Sequence, residues 1–78
     1  MTNLEKYNAA FCETLNIEET QLLGLKYQAI PEWDSVGHMS LVASIEDAFD
    51  IMMETDDIID LSSYEKGKEI LKKYEVEL

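Results

Sequence analysis

Trp33-Asp34-Ser35-Val36-Gly37-His38-Met39-Ser40-Leu41-Val42-Ala43-Ser44-Ile45-Glu46-Asp47-Ala48-Phe49-Asp50-Ile51 is the stretch around which the chain is organised. Leu41, Val42, Ile45 and Phe49 recur at spacings of three and four, the period of a helix with one buried face. Asp34 and Ser35 both favour the N-cap and mark its start. A hydroxyl therefore stands at the mouth of a helix, where unpaired backbone N–H groups and the macrodipole favour negative charge. A phosphate ester on that hydroxyl would be held where helices hold phosphate. On local sequence alone a helix cap is the plainer role for Ser35, and an attachment point the sharper one. Further along, Glu46, Asp47 and Asp50 give the same helix an acidic face.

Asp34-Ser35-Val36, then an amphipathic helix, then Glu46-Asp47-Ala48-Phe49-Asp50-Ile51 resembles the acyl carrier proteins, and the resemblance covers nearly the whole chain. It implies an all-α fold, an antiparallel four-helix bundle with one short helix and a long first loop. It implies that Ser35 is esterified with 4′-phosphopantetheine from coenzyme A, whose thiol carries acyl or aminoacyl groups as thioesters. By the same resemblance Asp34 lies beside the arm and helps position the modifying enzyme. Val36 and Met39 then contact partners, and Glu46, Asp47, Asp50, Asp56 and Asp57 rim that surface. The implied partners are a phosphopantetheinyl transferase, a loading ligase and downstream acyl-transfer enzymes with basic docking patches. Four positions depart from the family pattern: Trp33, Gly37, His38 and Ser40. Trp33 stands where many members have glycine, and Ser40 where typical members have glutamate. These departures point to a specialised carrier rather than the main fatty-acid one.

A chain of 78 residues, 46% of them hydrophobic, suits one folded domain, 1–78, with a small core and no deep catalytic cleft. No run approaches a membrane span, and Met1-Thr2-Asn3-Leu4-Glu5-Lys6 has no signal-peptide pattern, so a cytoplasmic protein is expected. The chain is separately expected to be a monomer. The formal charge is −11 and there is no arginine. No lysine lies between Tyr27 and Glu65, where nine acidic residues do. Such a field argues against nucleic acid and anionic membrane as partners. It suits basic partners and speeds encounter with them more than it tightens complexes. The plainer alternative is a surface kept soluble by its charge.

Along the chain, Thr2 with Glu5 forms a capping-box pattern, and Leu4, Tyr7, Phe11 and Leu15 share a face of the first helix. Asn16 is its stop. From Ile17 to Trp33 the period is lost, which predicts an ordered loop that carries Ser35 to an exposed end, with one helical turn within Glu18–Leu23. Trp33 is expected to anchor the loop's end in the core. Thr55 is placed as the cap of a short helix held by Ile58, Ile59 or Leu61. Ser62 with Glu65 marks a last helix, with Tyr64, Gly67, Ile70, Leu71 and Tyr74 on one face. A close approach by a neighbouring helix would justify Gly67. Gly37 reads as tolerated variation or, in the sharper reading, as a backbone left open for a phosphodiester or an enzyme surface. The tail from Tyr74 to Leu78 is expected to fray.

Other chemistries fit poorly. Asp34, Ser35 and His38 do not make a nucleophilic triad, because an adjacent Asp and Ser cannot flank one imidazole and no Gly-x-Ser-x-Gly elbow is present. His38 reads as a surface histidine. Asp56-Asp57-Ile58-Ile59-Asp60 lacks the spacing of a calcium loop, so no metal site is expected. Cys12 is alone and has no partner for an intramolecular disulfide. The rival reading from another class is a non-covalent acidic adaptor that binds basic surfaces, with Ser35 only a cap.

Overall fold

The first helix, α1, runs Asn3–Leu15 in the computed structural model, which describes residues 2–78. Met1, included in the one-domain reading, lies outside the described residues. Thr2 caps α1 as a full capping box, its hydroxyl accepting from the Glu5 amide while Glu5 accepts from the Thr2 amide. Asn16 ends it in the left-handed conformation (φ 55°) that asparagine tolerates. A 3-10 turn at Glu19–Gln21 interrupts the long connection to α2, Ser35–Phe49. A short α3, Thr55–Asp60, and α4, Tyr64–Lys73, complete an all-helical chain with no strand among the described residues.

Three helices and the long connection meet in one core. α1 supplies Tyr7, Phe11 and Leu15, α2 supplies Leu41, Val42 and Ile45, and α4 supplies Tyr64, Ile70 and Leu71. The connection adds Leu22, Leu25 and Trp33, which explains its uneven apolar spacing: these side chains serve tertiary contacts rather than a helix face. Phe11 is the hub, with edge-on contacts to Tyr7, Trp33 and Tyr64 at ring-centroid distances of 5.0, 5.4 and 5.4 Å. Tyr7 is fully buried and donates its hydroxyl to the Tyr64 carbonyl at 2.6 Å. Burial pushes its ionisation far above the usual tyrosine range. Gly67 makes this possible, because a Cβ there would stand 2.0 Å from the Tyr7 hydroxyl. The expected close approach at Gly67 is therefore a packed tyrosine of α1.

A short antiparallel bridge between Lys26 and Ser63 pins the connection to the α3–α4 junction. Tyr27 N–H donates to the Ser62 carbonyl and Tyr64 N–H to the Leu25 carbonyl, both at 2.9 Å. One expected cap is corrected. Ser63, the bridge partner of Lys26, is extended (φ −159°, ψ 165°), and it rather than Ser62 caps α4 and accepts from the Lys66 amide. The cap of α3 is Glu54, with no side-chain bond, and Thr55 is already helical. In the tail, Val76 is buried, its backbone amide donates to the Leu71 carbonyl, and the Asn3 side-chain Nδ2 donates to the Glu77 carbonyl. Leu4, expected on the buried face of α1, is exposed. Of the three candidates for holding α3, Leu61 is buried and Ile58 packs against the core, while Ile59 is exposed. No helix among the described residues is long and apolar enough to cross a membrane.

Candidate functional site

Ser35 is the first residue of α2 and is exposed. Asp34 is the N-cap, and its carboxylate accepts from the Gly37 amide at 2.8 Å. With that role filled by Asp34, the Ser35 hydroxyl is not the cap of α2. The amides of Ser35 and Val36 belong to the first turn and have no intrahelical acceptor. The hydroxyl thus stands among donors in a positive helix-end field.

The loop before α2 is locked in place. Trp33 is fully buried, as expected of an anchor. Its amide donates to the Ile30 carbonyl at 3.1 Å, and its carbonyl accepts from the Gln28 amide at 3.0 Å. The indole N–H donates to His38 Nδ1 at 3.0 Å. Since indole is a donor only, Nδ1 must accept, and the ring proton sits on Nε2. That Nε2–H donates to the Ile58 carbonyl of α3 at 2.7 Å. His38 is therefore a half-buried strut between loop and α3, not the surface histidine expected. Gly37 is also corrected: a Cβ there would lie 2.0 Å from the Glu32 carbonyl oxygen. The chain's own loop closes on that backbone, so it is not left open.

Ser35 borders an apolar cleft of about 360 Å³ between α2 and α3, lined among others by Tyr27, His38, Met39, Ile58 and Ile59. The Tyr27 hydroxyl lies 3.4 Å from Ser35 Oγ. Val36, Met39 and Ile59 are 76%, 55% and 73% exposed, a large fraction for apolar side chains so close to one hydroxyl.

The acidic residues separate into two groups. Asp47 is exposed on α2 along with Val36 and Met39, Asp50 is exposed at its C-cap, and Asp56 is exposed in the first turn of α3. Asp47 also borders the groove where α2 meets Lys6 and Glu13 of α1. Glu46 is half-buried, and its carboxylate accepts from the Met53 amide at 2.8 Å, bracing the turn after α2. Asp57 is buried and does not lie on an exposed rim. It pairs with Lys73 and accepts from the Tyr74 hydroxyl, tying α3 to α4. The hydrogen bond from Lys73, then that from Tyr74, holds the Asp57 carboxyl below its usual range against an opposing effect of burial. Sequence periodicity could not separate these roles, because an aspartate in the first turn of a helix is equally favourable whether it faces solvent or a lysine.

That Tyr27 and Ile59 lie beside Ser35 was not legible in the sequence. Tyr27 belongs to an aperiodic loop, and at the end of a six-residue helix Ile58, Ile59 and the C-cap Leu61 are equivalent until a neighbour is specified. Compared with models of known families, with curated proteins and with solved structures, the chain matches none.

Proposed function

We propose that this chain is an acyl or aminoacyl carrier in which Ser35 bears 4′-phosphopantetheine taken from coenzyme A. The observation that carries the reading is the exposed Ser35 hydroxyl in the first turn of α2, freed from capping by Asp34 and bordering an apolar cleft. The same proposal takes the four helices as an antiparallel four-helix bundle, with α3 as its short member and the connection from Asn16 to Asp34 as the long first loop.

The residues present fit the arm. Ser35 Oγ is accessible for esterification, the first-turn amides favour an anionic ester, and the cleft offers apolar surface next to it. In loading, Ser35 Oγ bonds to the coenzyme A phosphorus that carries the pantetheine. The phosphoanhydride P–O bond breaks, adenosine 3′,5′-bisphosphate leaves, and the serine proton passes to a base of the transferase. When bound, the arm supplies a thiol on a flexible tether. The chain performs no bond chemistry on the cargo; tethering raises the cargo's effective concentration at each partner's active site. Asp34 fixes the turn that presents Ser35. Val36, Met39 and Ile59 offer an apolar contact, and Asp47, Asp50 and Asp56 draw in basic partners by charge, so docking is fast and weak.

Intact-mass measurement after incubation with a phosphopantetheinyl transferase and coenzyme A tests this. The expected result is a gain of one phosphopantetheine on the wild type and none on Ser35→Ala. An unmodified wild type, or a gain that survives Ser35→Ala, sinks it. An unmodified mass favours the adaptor, in which the exposed Val36, Met39 and Ile59 and their acidic neighbours bind a basic amphipathic segment directly.

A further inference from the structure

Tyr27 is held by contacts that do not use its hydroxyl. Its amide donates to the Ser62 carbonyl at 2.9 Å. Its ring packs edge-on against Trp33 and His38, at centroid distances of 6.1 and 5.2 Å. A phenylalanine would keep all three. The hydroxyl has one hydrogen-bonding neighbour among the described residues, Ser35 Oγ, at 3.4 Å. That is longer than a full hydroxyl–hydroxyl bond. The phenol is thus aimed at the serine and stops short of it.

A phosphoryl group on Oγ would project its non-bridging oxygens beyond the serine and fill this gap. Donation to an anionic phosphate oxygen is shorter and stronger than donation to a neutral hydroxyl. We propose that Tyr27 is a positioning residue of the attachment site, whose phenol donates to a non-bridging oxygen of the Ser35 phosphodiester and to the same oxygen as loading proceeds. The inference rests on Ser35 being the attachment point. Because Tyr27 is bonded to Ser62, the donation ties the root of the arm to the α3–α4 junction, across the apolar cleft from α2.

The test compares wild type with Tyr27→Phe. Both are loaded by a phosphopantetheinyl transferase with coenzyme A, followed by intact mass, and the loaded proteins are examined by phosphorus NMR. Tyr27→Phe should melt close to wild type, lose about fivefold in loading kcat/KM, and show a displaced phosphodiester resonance, as expected for one lost hydrogen bond. A purely structural tyrosine would move neither the rate nor the resonance. An unmoved resonance overturns the proposal whatever the rate does. If the wild type itself is not loaded, the carrier reading fails and this one with it. If the wild type loads and the variant is indistinguishable, only the role of Tyr27 falls.

Discussion

Replacing Gly67 by alanine should destabilise the fold although it improves a helix. In an unconstrained helix the change gains up to about 1 kcal/mol. Here the new Cβ would stand 2.0 Å from the Tyr7 hydroxyl, 2.9 Å from Leu61 Cδ1 and 3.1 Å from Tyr7 Cζ. Tyr7 cannot swing away, because it is fully buried against Phe11 and Tyr64 and its hydroxyl donates to the Tyr64 carbonyl at 2.6 Å. Overpacking of this kind costs about 1–3 kcal/mol, and breaking the Tyr7 hydrogen bond about 1 kcal/mol more. The net loss is about 2 kcal/mol, a fall in Tm of roughly 10 °C for a domain of this size. Urea denaturation followed by helical circular dichroism measures it in wild type, Gly67→Ala, Tyr7→Phe and the double variant. Removing the hydroxyl deletes the nearest clash and leaves the Leu61 and Cζ contacts, so the relief is partial, with a coupling of about 1 kcal/mol. A Gly67→Ala protein as stable as wild type, or an equal cost in both backgrounds, refutes the reasoning.

Three other perturbations follow from the same geometry. Gly37→Ala should cost about 2 kcal/mol in the same denaturation experiment, since its Cβ meets the Glu32 backbone carbonyl at 2.0 Å and the loop must move. His38→Leu strands the Trp33 indole N–H and the Ile58 carbonyl. It should cost about 2 kcal/mol and speed amide hydrogen exchange in α3 more than in α1; equal acceleration in both helices would contradict the strut. Asp57 has a folded-state carboxyl held below the ordinary value of 3.8, so its contribution is fully present above that value and is lost as pH falls through the lower, folded value. Denaturation midpoints measured as pH drops below about 4 should therefore fall less steeply in Asp57→Asn than in wild type, and parallel slopes would exclude the pairing with Lys73 and Tyr74 as the cause.

The long connection marks where sequence reading stopped. Its apolar residues are aperiodic because Leu22, Leu25 and Trp33 enter the core from a path dictated by the Lys26–Ser63 bridge rather than by a helix. The cap of α4 is Ser63 rather than Ser62, a one-residue difference that local preference cannot decide between two adjacent serines. The acidic rim shows the same limit. Asp56 and Asp57 are neighbours of identical chemistry, yet one is exposed and the other is buried under Lys73 and Tyr74.

By itself the sequence was sufficient for what depends on near neighbours: the helical period of α1, α2 and α4, the Thr2 cap and Asn16 stop, and Ser35 at the start of α2. Hydrogen bonds and side-chain spacing within a few residues settle all of these. Only the tertiary structure decided which glycines are compressed, which carboxylates are paired, that His38 braces α3, and that the Tyr27 hydroxyl faces Ser35. Each of those depends on atoms distant in the chain brought within a few ångströms, and no local periodicity encodes that approach.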